Sequence, residues 1–350
     1  MVATQRVAVL GASGYAGGEL VRLLHEHPSF EVAFLGGKGS VGRSLVASQP
    51  HLAGLPAAEM LMQEMEPASI AAAADLVFSA LPNGSSAHLA PAILDAGSRV
   101  IDLAGDFRLE ADAYPAWYGF EHPAPQWLGA AAYGLSELFA DRIADASLVA
   151  NPGCFATAAI LGCAPVVAAG LADPGAIRVD GKTGVSGAGR AALESTSFGA
   201  TEDSIRPYRF PNHQHTPEIE QGMSRATGQA VSVLFVPHLV PAVRGVVTTA
   251  YLSAATGATT EQLTECLAAA YTGRPFVRVL PPGEMVDAKR TRGSNMIELQ
   301  GVVDARTGTV VVVAALDNLI KGAAGQAIQN ANLLYGLPEE TGLPTTGVYP

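Results

Sequence analysis

Near the start of the chain, the sequence reads Arg6-Val-Ala-Val-Leu-Gly11-Ala-Ser-Gly14-Tyr-Ala-Gly17. The apolar run Arg6–Leu10 is typical of a parallel strand that is covered on both faces. The glycines that follow predict a tight turn, and the leucines within Gly17–His27 predict a helix with one apolar face. Strand, glycine turn and helix in this order favour a dinucleotide site, in which the backbone approaches a pyrophosphate at the helix N-terminus. The stretch therefore predicts a Rossmann-type α/β domain.

The glycine spacing is a variant of the common dinucleotide fingerprint, so close helix–strand packing remains an alternative interpretation of it. The segment Leu35–Arg43, at the end of the second predicted strand, indicates which cofactor would bind. It carries no acid for the ribose 2′-OH of NAD, but it carries two bases that favour the 2′-phosphate of NADP. The predicted cofactor is therefore NADP, and its expected contacts in this part of the chain are Gly11, Ser13, Gly14, Tyr15, Ala16, Lys38, Arg43 and Pro82.

Strands and helices alternate in the first part of the chain, whereas the second part is richer in strands. In the first part, five apolar runs predict parallel strands: Arg6–Leu10, Glu31–Leu35, Asp75–Ala80, Arg99–Leu103 and Ser147–Ala150. In the second part, six runs predict a mixed or antiparallel sheet: Ile177–Val179, Val231–Val236, Val246–Ser253, Phe276–Leu280, Met296–Val303 and Thr309–Leu316. A closing helix with a buried apolar stripe is predicted over Asn318–Leu334. A chain of 350 residues with this pattern is expected to form two domains.

Cys154 lies in Asn151-Pro-Gly-Cys-Phe-Ala-Thr157, where a Pro-Gly turn ends an apolar run and an alanine-rich helical stretch begins. The positive end of a helix dipole favours thiolate over thiol, which makes a cysteine nucleophilic near neutral pH. Most cysteines are instead small buried hydrophobes, and this is the interpretation that we prefer for Cys163 and Cys266. The glycine turn and the segment His213-Gln-His-Thr-Pro-Glu218 favour the reactive interpretation for Cys154.

Charge and composition narrow the classes of function. The formal net charge is −11, from 21 Lys and Arg against 32 Asp and Glu, which argues against a nucleic-acid or anionic-membrane partner. Three cysteines without metal-ligand spacing predict neither a disulfide framework nor a metal site, and they fit a reducing cytoplasm. No export signal is recognised, and the uncharged segment Phe155–Ala172, interrupted by Pro165, is predicted to be a buried globular helix with a break. A small polar metabolite is the expected partner.

Six segments in order resemble the N-acetyl-γ-glutamyl-phosphate reductase family, the third enzyme of arginine biosynthesis. They are Gly11–Gly17, Asn151–Cys154, Gly181–Arg190, His213–Glu218, Pro237–Pro241 with Arg244 and Gly245, and Asp317–Gly322. The resemblance implies an NADP-binding Rossmann domain, residues 1–153 and 317–350, which the C-terminal helix completes. It also implies an α+β catalytic domain with a mixed sheet, residues 154–316, which forms a homo-oligomer, either a dimer or a tetramer.

The implied reaction is the NADPH-dependent reduction of N-acetyl-γ-glutamyl phosphate to N-acetyl-L-glutamate 5-semialdehyde with release of phosphate. A thiolate splits this reduction into two steps, because it first displaces phosphate to give a thioester, and the thioester then accepts hydride. A histidine can take up the thiol proton and later protonate the hemiacetal oxygen. By resemblance, the catalytic residues are Cys154 as nucleophile, His215 as base and Glu218 as the acid that orients the base.

The resemblance and the residue chemistry suggest further ligand contacts. Ser186 and Gly187 lie in a glycine-rich loop that could also serve as a flexible hinge; they are expected near the nicotinamide, and Asn318 is expected to contact the cofactor. A guanidinium binds a carboxylate or a phosphate with two hydrogen bonds, although arginines often form surface ion pairs instead. The candidates for binding substrate are Arg108, Asn151, His213 and Arg244, with Arg244 favoured over Arg108.

Three other functions are less well supported by the sequence. An aspartate-semialdehyde dehydrogenase usually places its cysteine in Asn-Cys-Thr rather than Asn-Pro-Gly-Cys. A lysine-pathway reductase with a carrier-bound substrate would need a basic docking surface, which a chain at −11 does not favour. A non-catalytic NADP-sensing protein is disfavoured because Cys154, His215 and Glu218 occur together.

Overall fold

The structure is a computed structural model that describes residues 4–349. Its strands are β1 Gln5–Leu10, β2 Phe30–Gly36, β3 Leu76–Ser79, β4 Arg99–Asp102, β5 Ala132–Tyr133, β6 Leu148–Ala150, β7 Ile177–Thr183, β8 Arg206–Pro207, β9 Val233–Leu239, β10 Val246–Ser253, β11 Val277–Val279, β12 Ile297–Asp304 and β13 Thr309–Leu316. Its α-helices are α1 Tyr15–His25, α2 Pro56–Glu59, α3 Pro67–Ala73, α4 Ser85–Asp95, α5 Tyr114–Trp117, α6 Ser136–Ala144, α7 Cys154–Ala168, α8 Phe198–Thr201, α9 His215–Thr227, α10 Thr260–Ala270, α11 Ala288–Thr291 and α12 Gly325–Leu334.

The chain divides into two compact units. The first ends at Pro152 and takes in Ala323–Leu343, and the second comprises Gly153–Gly322 and the residues from Pro344 onward. The sequence analysis instead assigned residues 317–350 to the first domain. Local contacts account for the difference, because the Asp317 side chain pairs with Arg244, and the backbone of residues 344 and 348 bonds to that of residues 295 and 292, all within the second unit. The functional roles of the two domains stay predictions.

The first unit is built on a parallel sheet with the strand order β2-β1-β3-β4-β6-β5. All five predicted strands are present, with ends that differ by no more than one residue. The order reverses at β1, between β2 and β3, and the carboxyl ends of the strands at such a reversal are where α/β sheets bind their ligands. The fold therefore positions the Gly11–Gly17 turn, which follows β1, where a dinucleotide would be expected.

The last helix, α12, joins the first unit through buried amide side chains. It begins at Gly325, later than the predicted Asn318, because a π-helical turn occupies Ile320–Ala324. The predicted apolar stripe is only part of its buried surface, since the helix also buries Gln326, Gln329, Asn330 and Asn332 completely. The Asn330 Nδ2 donates to the Gly134 carbonyl at 2.8 Å and to Asn151 Oδ1 at 3.0 Å. These bonds connect the C-terminal helix to the ends of β5 and β6.

We expect Asn330→Ala to destabilise the first unit. The substitution would leave Asn151 Oδ1 without its amide donor and would remove one of the two amide donors to the Gly134 carbonyl, the other being Gln326. A buried polar group that loses its partner costs about 1–3 kcal/mol. Chemical denaturation would measure the free energy of unfolding. Gln126→Ala, at an exposed position of the same unit, is the matched control and should change the stability little. Equal stabilities of the two variants would contradict the prediction.

The second unit contains a mixed sheet with the strand order β11-β12-β13-β10-β7-β9-β8. The predicted hairpin is present as β12 and β13, which pair antiparallel from Ile297 opposite Leu316 to Asp304 opposite Thr309. Helix α7 packs on one face of this sheet, against β10 and β13. The approach is close because a Cβ at Gly162 of α7 would lie only 3.1 Å from the Val312 side chain.

The other face of this sheet carries a row of apolar side chains. Leu234 of β9, Tyr251 of β10 and Val302 of β12 lie in one register row across the sheet, and they are 50, 39 and 37 % exposed. Arg178 of β7 lies in the same row, between Leu234 and Tyr251. This register row is thus an exposed, largely apolar strip on the outside of the second unit.

Helix α7 runs unbroken through Pro165 to Ala168, although a break was predicted at the proline. Proline lacks the N–H that would bond the carbonyl four residues earlier. That carbonyl, Leu161 O, instead accepts the hydroxyl of Tyr271 from the end of α10. Over residues 4–349, no helix of the structure has the length and apolar character needed to cross a membrane.

Candidate active site

Cys154 is the first residue of α7, as predicted, and Gly153 is the N-cap in an extended conformation. The Cys154 side chain is half-buried. Gly322 lies beside it, and a Cβ at that glycine would lie 2.6 Å from the Cys154 Cβ. The unpaired N–H groups of a helix N-terminus favour an anion, so this position suits a thiolate. By contrast, burial raises the pKa of the Cys163 thiol, further along the same helix, to about 12.

His215 is the first residue of α9, and its imidazole lies directly on the backbone that carries Cys154. A Cβ at Gly153 would overlap three atoms of the ring, Nε2, Cε1 and Cδ2. Glycine at position 153 therefore allows the imidazole to reach the residue next to the thiol. The ring is also protected from water, since His215 is 9 % exposed. The structure brings together the two residues that the sequence predicts as nucleophile and base.

Glu218 lies one turn further along α9 and is buried. Its Oε1 accepts the Gly153 N–H at 2.8 Å, and its Oε2 lies 3.9 Å from His215 Nε2. The carboxylate therefore joins the turn before Cys154 to the helix that carries His215, and its charge stabilises a protonated imidazole. The bond to the Gly153 N–H was not predicted from the sequence, which suggested only an interaction with His215.

His213 lies beside His215, with ring centroids 4.7 Å apart. Its ring is only 3 % exposed and is enclosed by the rings of Phe155, Tyr208 and Phe235. Tyr208 is a neighbour of the reaction centre that sequence reasoning missed. Burial and the nearby Cys154 raise the pKa of its phenol. No sequence signal could have found it, because Tyr208 lies 54 residues from Cys154 and belongs to no motif.

Arg244 is held in a defined orientation by a fully buried acid. Its guanidinium lies 3.0 Å from Asp317 Oδ2, and Asp317 also accepts the N–H groups of Gly293 and Leu319. The Arg244 side chain remains about one fifth exposed. The ion pair fixes the arginine while leaving part of it accessible, which suits a substrate contact.

The predicted nicotinamide contacts Ser186, Gly187 and Asn318 are brought together in the second unit. Asn318 Nδ2 donates to Ser186 Oγ at 3.0 Å, and Asn318 Oδ1 accepts the Gly245 N–H at 2.7 Å. A Cβ at Gly187 would meet the side chains of Thr183 and Asn318. The Asn318 amide thus fixes the glycine-rich loop against the segment that carries Arg244.

The predicted substrate contacts Arg108 and Asn151 both lie buried in the first unit. Arg108 donates to the carbonyls of Asn151 and Leu103, at 2.8 and 2.9 Å, at the ends of β6 and β4. The Asn151 side chain donates to the Ala323 carbonyl and accepts from Asn330. These bonds hold the ends of strands together, so the structure favours Arg244 over Arg108 as the arginine that binds substrate.

The glycine turn after β1 packs closely against neighbouring backbone and leads into the start of α1. Gly11 has φ +77°, and a Cβ there would overlap the Ala80 carbonyl. Gly14 is the N-cap of α1 and no side chain caps the helix, whose first residues are the predicted contacts Tyr15 and Ala16. Gln49, missed in the sequence, supports the turn from outside, since its Nε2 donates to the carbonyls of Ser13 and Gly14.

The remaining predicted cofactor contacts are surface residues of the first unit: Lys38, Arg43 and Pro82. Lys38 lines a shallow cleft together with Glu64 and Glu66, two acids that lie further along the chain. The Glu66 carboxylate caps α3, because it accepts the N–H groups of Ala68 and Ser69. Over residues 4–349, no group of three or more His, Cys, Asp and Glu side chains is arranged to hold a metal ion.

Family models match both parts of the chain. Residues 6–146 match the semialdehyde dehydrogenase NAD binding domain, and residues 154–318 match the semialdehyde dehydrogenase dimerisation domain. Two solved structures have the same fold: aspartate semialdehyde dehydrogenase II from Vibrio cholerae, complexed with ASA (TM-score 0.74, 17 % identity), and aspartate semialdehyde dehydrogenase with NADP from Candida albicans (TM-score 0.71, 19 % identity). Each alignment covers 95 % of this chain and at least 98 % of the other. The fold and the site define a semialdehyde dehydrogenase-type oxidoreductase.

Full-length relatives narrow this class. The chain is 47 % identical over 350 residues to an N-acetyl-gamma-glutamyl-phosphate reductase from Symbiobacterium thermophilum, covering 99 % of this chain and all of the relative. It is 44 % identical to the enzyme of the same name from Desulforudis audaxviator, covering 99 % of both chains. The chain belongs to the N-acetyl-gamma-glutamyl-phosphate reductase family. The resemblance inferred from six short segments, the α/β fold class and the nicotinamide dinucleotide cofactor are thereby confirmed.

Proposed function

We propose that the protein reduces N-acetyl-γ-glutamyl phosphate to N-acetyl-L-glutamate 5-semialdehyde, with NADPH as the reductant and a thioester on Cys154 as intermediate. The observation that carries the proposal is the placement of Cys154 at the start of α7 with the His215 imidazole against the adjoining Gly153. The names of its full-length relatives supply the substrate.

Cys154 begins the reaction as a nucleophile. Its sulfur forms a bond to the acyl carbon while the bond from that carbon to the phosphate oxygen breaks, and the thiol proton passes to His215. Bound NADPH would supply the hydride that reduces the thioester carbon. His215 then protonates the oxygen on which charge develops and takes the proton back as the C–S bond breaks, which releases the aldehyde and the Cys154 thiolate. Return of that proton from His215 to the sulfur restores the thiol. Glu218 stabilises the protonated imidazole.

The first unit has residues that fit the cofactor. Gly11 lets the turn pack against the Ala80 carbonyl, and the amides at the start of α1, which no side chain caps, would bind the negative charge of the pyrophosphate. Lys38 and Arg43 would hold the 2′-phosphate. Ser186, Gly187 and Asn318 are the proposed contacts of the nicotinamide, and Arg244 is the proposed contact of the substrate carboxylate or phosphate.

Oxidation of the aldehyde in the reverse direction tests the proposal. The purified protein should reduce NADP⁺ when it is given N-acetylglutamate 5-semialdehyde and inorganic phosphate together. Omission of phosphate should stop the reaction, because only an acyl phosphate product regenerates the free thiol in this scheme. Aspartate semialdehyde is the control substrate, and faster turnover of that compound would overturn the assignment.

We expect NADPH to be preferred over NADH, and Lys38→Ala with Arg43→Ala to remove much of the preference. Charge-assisted hydrogen bonds to a 2′-phosphate are worth about 1.5–3 kcal/mol each, and NADH makes none of them. The ratio of kcat/KM for the two cofactors measures the effect. Arg142→Ala removes an exposed positive charge elsewhere in the same unit and should leave the ratio unchanged. An equal fall with both cofactors in the double variant would show that neither base binds the phosphate.

We further propose that the protein works as a homo-oligomer, a dimer or a tetramer, in the cytoplasm. The exposed register row of Leu234, Tyr251 and Val302 offers an apolar surface for a second copy of the second unit, whose family model is a dimerisation domain. None of the three cysteines forms a disulfide bond, which fits a reducing compartment. Light scattering of the wild type and of Tyr251→Glu would test the oligomer, since a charge in this row should shift the protein toward smaller species.

A further inference from the structure

His213 occupies the place where a helix usually receives a capping side chain. It precedes Gln214, the N-cap of α9, whose own side chain makes no capping bond. The His213 Nδ1 accepts the backbone N–H of His215 at 3.1 Å, and the His213 carbonyl accepts the N–H of Thr216 at 2.9 Å. The first amides of a helix have no partner within it, so an outside acceptor fixes the first turn. Here the residue that is fixed is His215.

The surroundings of His213 leave little surface for a ligand. The rings of Phe235 and Tyr208 lie 5.3 and 5.4 Å from the His213 ring, both nearly perpendicular to it, and Phe155 lies 6.1 Å away. Only 3 % of the residue is exposed. A substrate group would therefore find little of this imidazole to contact.

The bond from the His215 N–H also requires a neutral His213, because a protonated Nδ1 has no lone pair to accept it. The charged and titratable groups that act on His213 are His215, Arg209 and Glu218. Burial, followed by His215 and Arg209, lowers the pKa of His213 to about 2, against the opposing effect of Glu218. His213 therefore stays a neutral acceptor at every pH at which such an enzyme is assayed.

We infer that His213 is a positioning residue, which holds the backbone of His215 at the start of α9 through its Nδ1, and that it does not bind substrate. The inference rests on the proposed function for the part that His215 plays. It replaces the role of substrate contact that the sequence suggested for His213.

Two variants separate the effect of the hydrogen-bond acceptor at position 213 from the effect of its aromatic ring. His213→Phe keeps an aromatic ring in the cluster but has no acceptor, whereas His213→Asn keeps a short side-chain acceptor that suits a helix start. For a misplaced base, we expect His213→Phe to lower kcat by about 10²-fold with KM for the acyl phosphate within about threefold of wild type. His213→Asn should recover kcat to within about threefold of wild type. A tenfold or larger rise in KM with unchanged kcat in either variant would overturn the inference, because it would indicate a lost substrate contact.

The rate of Cys154 alkylation by iodoacetamide gives a readout that needs neither substrate nor cofactor. Peptide mapping would follow Cys154 separately from Cys163 and Cys266 as a function of pH. The pH midpoint of Cys154 alkylation should shift in His213→Phe and stay at its wild-type value in His213→Asn. Unshifted midpoints in both variants would overturn the inference. If the wild type shows no reductase activity but the alkylation pattern is as expected, the proposed function fails while the positioning role stands. If His213→Phe does not fold, the inference is tested with His213→Asn alone, by its kcat, its KM and its alkylation midpoint.

Discussion

Cys154→Ser is expected to bind NADPH normally and to lose nearly all turnover, a fall of about four orders of magnitude or more. A serine hydroxyl at the same helix N-terminus remains protonated near neutral pH, so the acyl phosphate meets a far weaker nucleophile. Initial rates with wild type and variant measure the loss, and fluorescence titration with NADPH checks that the cofactor site is intact. In the wild type, mass spectrometry of enzyme quenched during turnover should find the acyl adduct on the peptide that contains Cys154.

Cys266→Ser is the matched control for this substitution. Cys266 is also half-buried, but its sulfur donates to the Pro165 carbonyl, a bond that serine can keep, and burial raises the pKa of its thiol. Its turnover should stay close to that of the wild type. Acyl adduct on Cys163 or Cys266 rather than on Cys154 would contradict the assignment of the nucleophile.

His215→Asn is expected to lower kcat by about two to four orders of magnitude, the usual contribution of a general acid–base group. Asparagine can occupy the first position of α9 and keep the backbone bond to His213, but it cannot take up the thiol proton. The loss should shrink when the pH is raised, because a thiol that ionises in solution no longer needs the base. His88→Asn, at an exposed position of the first unit, should leave kcat unchanged. A loss at His215 that does not change with pH would indicate a structural role instead.

Much of the fold could be predicted because the pattern of apolar residues in its strands differs strongly from that in the segments between them. The five parallel strands of the first unit are short apolar runs covered on both faces, and β12 with β13 is a long hairpin around Asp304–Gly308. The two-residue strands β5 and β8 could not be found, since neither is long enough to show a periodicity. Helix α12 was predicted as amphipathic, yet its polar face is buried too. Its amides bond to residues nearly 200 positions away, such as Asn330 to Gly134, and a single sequence does not show such partners.

The site could be predicted where chemistry follows from local sequence. The Pro-Gly turn before Cys154 indicates a helix start directly, and two histidines close to an acid indicate a proton-transferring segment. The contacts that assemble the site do not follow from local sequence. Gly322 beside Cys154, and the bond from the Gly153 N–H to Glu218, join segments that are far apart in the chain. Asp317, which orients Arg244, carried no signal of its own beyond membership of a motif.

The late position of α12 in the chain has a consequence for synthesis on the ribosome. Domains generally fold in the order in which they emerge, and the N-terminal one folds first. Here the first unit lacks the helix whose Asn330 and Gln326 bond to Gly134 and Ser136 until residues 153–322 of the second unit have been translated. The nascent first unit can therefore complete its folding only after α12 has been synthesised. A ribosome that stalls after Gly322 would leave most of the second unit tethered to an unfinished first one, and such a product is a natural client of chaperones and proteases.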